Sequence, residues 1–212
     1  MLPFMNVHGQ QRRRSSTGRS RELARVLCLF ALVSMAAFFG RDAAAQGSAG
    51  PFVPTPTAIV DELLKVAEVR PGEFLIDLGS GDGRIVIAAA RQYGASGLGI
   101  DIQQSLVDLA GEQARVAGVS DRVRFIAGDL FETDLSRADV VTVYLLPSSV
   151  PNLVPKLQKE LRPGARVVSH DYPLLPWTPE RTLTFDFEEK VMISGTTRTV
   201  VYLYRVPSAF GQ

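Results

Sequence analysis

The sequence predicts an α/β domain on a doubly wound, Rossmann-like sheet of seven mostly parallel strands with an antiparallel edge strand. Three observations predict it. Short apolar or β-branched runs alternate with helical stretches, the pattern of a parallel sheet covered on both faces. A turn with three glycines, "DLGSGDG", closes the first apolar run and opens a helix. The last two strand-like runs have no helix between them, which requires an antiparallel pairing.

The elements follow in order. In "TAIVDELLKVAEV" (57–69), Ile59, Val60, Leu63, Leu64 and Val66 recur at helical spacing, with Thr57 as N-cap. "EFLIDL" is a buried strand and "GRIVIAAARQY" a helix. "GLGID" is a strand, and "SLVDLAGEQARVAG" a helix stopped by Gly118. "VRFIAGDL" and "ADVVTVYLLP" are strands, the second ended by Pro147. "PNLVPKLQKEL" is a helix with Pro151 near its start, and "GARVVSHDY" a fifth parallel strand. "RTLTFDFEEKVMI" (181–193) and "TRTVVYLYRVP" (197–207) are the closing pair. The domain is expected over 57–207.

Residues 1–45 read differently. Arg12 to Arg25 form a basic stretch, 26–39 an apolar one, and Ala43-Ala44-Ala45 a small-residue cleavage site. The apolar run is shorter than the roughly 20 residues a membrane span needs. The expectation is a signal peptide exporting the body to the periplasm or beyond, with an uncleaved membrane anchor as the alternative. Met35 is an alternative start that would remove most of this segment. Residues 46–56, "QGSAGPFVPTP", form a Gly/Pro-rich linker, with Phe52-Val53-Pro54 a lid over the site or a piece of the core.

The leader carries seven Arg against Glu22 and Asp42, whereas residues 46–212 carry 16 Lys/Arg against 20 Asp/Glu. An acidic body gives no general field for phosphate, so nucleic acid is not the expected partner. Cys28 is the only cysteine and His170 the only histidine outside the leader. No thiolate nucleophile or multi-histidine metal site is available in the body, and no metal is expected.

The glycine turn lies at the carboxyl end of the first strand, where ligands bind in open α/β sheets. Its spacing is Gly79-x-Gly81-x-Gly83, not the G-x-G-x-x-G that brings a pyrophosphate to a helix N-terminus. Asp77 precedes it, and Ser80 and Asp82 lie inside it. Carboxylates repel a pyrophosphate and suit a cation. S-adenosylmethionine, with its sulfonium and ammonium, fits. Asp101, ending the second strand, is placed for the ribose hydroxyls. Asp129, ending the third, is placed for the adenine amino group, with Ile102 and Leu130 as apolar walls.

"DLGSGDG…GIDI…GDL" resembles the class I S-adenosylmethionine-dependent methyltransferases over nearly all of 52–206. More narrowly, "PFVPTP", "DLGSGDGRIVIAAA", "VTVYLLP" and "ELRPGARVVS" resemble the family that methylates lysines of the ATP synthase c-ring protein and adenine nucleotide translocase. The resemblance implies the fold, the cofactor positions Asp77, Gly79, Gly81, Asp101 and Asp129, and as acceptor a protein lysine, in a membrane protein. The leader and "SHDY" after the fifth strand depart from that family.

Methyl transfer is an in-line displacement, so alignment and dryness matter more than a metal or covalent intermediate. Tyr144, ahead of Leu145-Leu146-Pro147, ends the fourth strand beside the methyl position the resemblance implies, where backbone carbonyls can orient an amine. His170 and Asp171 end the fifth strand on the same side, either as acceptor partner or base, or as a sheet-bonded histidine and a loop cap. Trp177 is read as core. Two other functions remain open: a small-molecule O- or N-methyltransferase, and an exported module that binds the cofactor without catalysis.

Overall fold

The structure, a computed structural model, describes residues 52–206. The expectations for 1–45, and for the linker before Phe52, lie outside the described residues. The elements run α1 (Thr57–Val66), β1 (Phe74–Leu78), α2 (Arg84–Tyr93), β2 (Ser96–Asp101), α3 (Gln104–Val116), β3 (Val123–Ala127) and β4 (Val140–Val143). They continue α4 (Val150–Glu160), β5 (Arg166–His170), β6 (Arg181–Asp186), α5 (Val191–Ser194) and β7 (Arg198–Arg205).

The sheet order is β3-β2-β1-β4-β5-β7-β6. β1 pairs in parallel with both β2 and β4, so the winding reverses there and opens a crevice at the carboxyl ends of the strands. β7 runs antiparallel to both β5 and β6, one strand in from the edge. The expected closing hairpin is therefore present, with its second strand inserted inside its first.

Both faces are covered because side chains alternate along each strand. Leu75 of β1 joins one layer with Leu63, Leu64, Val86, Ala90 and Ala114 of α1, α2 and α3. Ile76 and Leu78 join the other, with Leu153 and Leu157 of α4. That second face has few helices: among the described residues no helix links β3 to β4, and Leu135, Leu174 and Trp177 from loops complete the layer.

Three local expectations are corrected. Thr57 is already helical, and Pro56 is the N-cap, its carbonyl accepting from the Ile59 and Val60 N–H groups. β4 stops at Val143, and Pro147 belongs to a 3-10 turn, Pro147–Ser149, leading into α4. Residues 181–193 are not one strand. β6 ends at Asp186, and the chain closes into a 3-10 turn (Glu188–Lys190) and the one-turn α5, ended by Gly195 at positive φ. The reason lies in Lys190, which is buried against the end of β5.

Candidate active site

Two groups of side chains meet at the reversal point, one on each side of β1. On the first side stands Asp77, 3% exposed. It is in register with Thr142 of β4, whose hydroxyl donates to Asp77 Oδ1 at 2.6 Å. Burial pushes its carboxyl up to about 7, with the charges of Asp101 and Asp82 adding and the Thr142 bond opposing. A buried acid with one hydroxyl for company is poised to take a cation.

The loop after β1 is sewn to β2: the Gly79 and Ser80 N–H groups both donate to the Ile100 carbonyl, at 2.9 and 2.8 Å. Gly81, at φ 53°, donates its N–H to Asp101 Oδ2 at 2.9 Å. A Cβ on Gly81 would meet the Phe52 ring at 2.2 Å, so the segment before α1 lies directly on the turn. Gly83 faces the protein, where a Cβ would strike Phe125 and Ala110. Gly79 and Ser80 line the cleft; the Ser80 hydroxyl itself is buried beside Gly99 and has no hydrogen-bond partner among the described residues.

Asp82 is spoken for. Arg84 grips it through Nε–Oδ1 (2.9 Å) and Nη2–Oδ2 (2.6 Å), and donates Nη1 to the Thr55 carbonyl at 2.7 Å. The cation that Asp82 was expected to receive from a ligand is supplied by the chain, and the pair clamps the 52–56 strap over the cleft. Asp101 sits at the end of β2, with Oδ2 on Gly81 and Oδ1 accepting the Gln103 N–H at 2.9 Å. Each oxygen keeps a lone pair for a ligand hydroxyl. Ile102 is 41% exposed and Leu130 buried, both on the cleft wall. Asp129 also lines it, while accepting the Phe131 N–H at 2.8 Å.

On the second side, Tyr144 and Tyr172 line the cleft with Leu145 and Leu146. The Tyr144 ring lies 4.0 Å from that of His170, tilted by 36°. His170 is 1% exposed, does not face the cleft, and has neither ring nitrogen hydrogen-bonded among the described residues. Burial brings its pKa down to about 4; nearby Lys190 adds to this and Asp171 opposes it. His170 is therefore a neutral ring behind Tyr144: its backbone belongs to the β5–β7 pairing, opposite Val201, and its ring is not placed as a base.

Asp171 adopts φ 62°, and both its oxygens bind Lys190 Nζ, at 2.7 and 2.6 Å. Its charge, after burial, helps push the Tyr144 hydroxyl up to about 12. Of the three residues expected at this end, Tyr144 reaches the cleft, and His170 and Asp171 stand behind it. Lys190 was not foreseen. Trp177 is buried, edge-on to Tyr204 at 6.0 Å.

The cleft encloses about 1160 Å³, counting its solvent-open part. Its residues suit an adenosyl amino acid: an uncompensated buried carboxylate for an ammonium, open lone pairs on Asp101 for two hydroxyls, and an exposed isoleucine for a ring.

Comparison with known proteins agrees with that chemistry. Residues 77–181 match the family described as ANTKMT methyltransferase domain. A protein-lysine N-methyltransferase of Saccharolobus islandicus is 37% identical, over 73% of this chain and 92% of that protein. An adenine nucleotide translocase lysine N-methyltransferase of Mus musculus is 41% identical, over 61% of this chain; the match spans just over half of that protein, 56%. Among solved structures, an RNA methyltransferase from Salinibacter ruber in complex with S-adenosyl-L-homocysteine is 49% identical, with a TM-score of 0.65. It covers 73% of this chain and 94% of its own.

Proposed function

Since the chain belongs to the class I S-adenosylmethionine-dependent methyltransferases, within the ANTKMT-type family, we propose that it methylates the side-chain nitrogen of a protein lysine. The observation that carries this reading is the charge of the cleft. Its acceptor side, formed by Tyr144, Leu145, Leu146 and Tyr172, carries no Lys or Arg among the described residues, and Arg84, the one cation elsewhere on the lining, is committed to Asp82. Such a wall suits the apolar stem of a lysine and offers nothing to a phosphate backbone, which is held by free Lys and Arg. RNA, named for the Salinibacter protein, is the second reading, and this charge speaks against it.

Asp77 would hold the cofactor's ammonium, Asp101 its ribose hydroxyls, and Asp129 with Ile102 and Leu130 its adenine. When bound, the cofactor supplies an electrophilic methyl on a sulfonium. The chain's own groups prepare the acceptor. A lysine entering past Leu146 and Tyr172 leaves water, which lowers its pKa and releases its proton to solvent. The Tyr144 oxygen then accepts an N–H of the neutral amine and aims its lone pair along the line of transfer. The strap clamped by Arg84 keeps water out of the donor half.

We further propose a membrane-protein acceptor, from the relatives named for the ATP synthase c subunit and adenine nucleotide translocase, and an exported enzyme, from the basic-then-apolar leader. Incubating the full chain with methyl-labelled cofactor and membrane, soluble-protein and RNA fractions tests the acceptor. Label on lysine in a membrane-protein band is the expected result; label in RNA or in small soluble products sinks the lysine reading. Fusing residues 1–50 to a phosphatase active only after export is expected to give signal, and a silent fusion removes the export proposal.

A further inference from the structure

Lysine is almost never fully buried unless paired, because taking its charge out of water is costly. Lys190 is 3% exposed, and its ammonium is saturated: Asp171 Oδ1 at 2.7 Å, Asp171 Oδ2 at 2.6 Å and the Arg198 carbonyl at 2.6 Å. Asp171 is held there in a left-handed backbone conformation that side chains other than glycine rarely adopt. An apolar pair of similar volume often serves a fold as well as a buried ion pair, or better. Two unfavourable features thus converge immediately behind a residue of the cleft wall.

We propose that Lys190 is a positioning residue of the acceptor pocket, which acts through Asp171 and the His170 ring to fix Tyr144 against the incoming amine. This rests on the reading of the acceptor as an amine. Asp171 has two neighbours to choose between. One is Tyr144, whose hydroxyl proton the Asp171 charge helps to hold and whose ring lies 4.0 Å from that of His170. The other is His170 Nε2, 3.6 Å from Asp171 Oδ2 and without a hydrogen-bond partner among the described residues.

A bare carboxylate at that point would draw a proton onto His170 and turn toward the resulting imidazolium. Lys190 prevents this by neutralising Asp171 and opposing a second positive charge nearby. Asp171 stays paired with Lys190, and His170 stays a neutral plate under the Tyr144 ring, which keeps Tyr144 in the cleft wall. Four elements contribute: the end of β4 (Tyr144), the end of β5 (His170, Asp171), the β6–β7 connection (Lys190) and β7, whose Val200 N–H also donates to Asp171 at 3.1 Å.

The test uses the full chain carrying His8→Gln, so that His170 gives the sole histidine signal in a proton NMR titration. In Lys190→Met, its titration midpoint is expected to rise by about one pH unit or more, as an opposing charge is lost beside a buried imidazole. Cofactor affinity by calorimetry should stay within about twofold, since no donor-side group is touched. Methyl transfer should fall roughly tenfold or more, the scale for a displaced acceptor group.

The double variant Lys190→Met with Asp171→Asn removes both charges, so it carries the test if the single variant does not fold. It should recover stability and leave transfer low. An unchanged His170 midpoint in Lys190→Met, or full transfer by the double variant, overturns the positioning role. A wild-type chain that binds cofactor and labels no protein defeats the amine reading instead, and the titration still decides what Lys190 does.

Discussion

Asp77→Asn is expected to stabilise the ligand-free domain at pH 8, raising its thermal midpoint by roughly 5 °C, while weakening cofactor binding by about a hundredfold. Both halves come from one fact, a carboxyl pushed to about 7 by burial. A folded-state pKa above the unfolded value means that the native state holds this proton more tightly. The group's contribution to stability is therefore fully present below about pH 4 and lost as pH rises through 7. At pH 8 the wild-type fold carries a buried charge that the amide lacks, and at pH 5 the gain from the substitution should shrink. Binding runs the other way. A cationic ligand needs the ionised form, so wild-type affinity should climb from pH 5 to 7 and then level, and the Asn variant should show no such climb. Calorimetry and thermal melts across that range check it; a variant that binds as well as wild type would show that Asp77 faces no ammonium.

Asp101→Ala should weaken binding of S-adenosylhomocysteine by about two orders of magnitude, the scale of charged hydrogen bonds to two hydroxyls. The substitution also frees the Gly81 and Gln103 N–H groups that the carboxylate now holds, so the glycine turn loosens as the ligand's partner disappears. Asp101→Asn keeps one acceptor oxygen and should fall between, at roughly tenfold. Titration of the three proteins side by side settles the order, and equal dissociation constants would remove the ribose from this position.

The parallel core was legible because each of its strands is a short apolar run with its own turn chemistry, and Asp77, Asp101 and Asp129 each stand at the end of one or within two residues of it. The site's partners were less so. Thr142 meets Asp77 through strand register, and no local pattern reveals which residue of β4 lies opposite which residue of β1. Lys190 sits in "FEEKVM", directly after the alternating run of β6, and its partner lies 19 residues earlier across the β5–β7 pairing. A lysine that follows two glutamates reads as solvated surface. The Arg84 grip on Asp82 left a usable trace, since two opposite charges two residues apart around a helix start are within reach of each other. The landing of Phe52 on Gly81 left none, because contact between chain segments 29 residues apart is settled by the fold.

The strand order also divides labour along the chain. Everything expected to hold the donor stands at the ends of β1, β2 and β3, before residue 131, and everything shaping the acceptor pocket comes from β4 onward. Descendants of such a gene can lengthen the hairpin that delivers Lys190, or rewrite the turn after Tyr144, and inherit an intact nucleoside pocket. New targets are then reached by drift in one half of the coding sequence, and recombination near its middle can exchange one specificity for another.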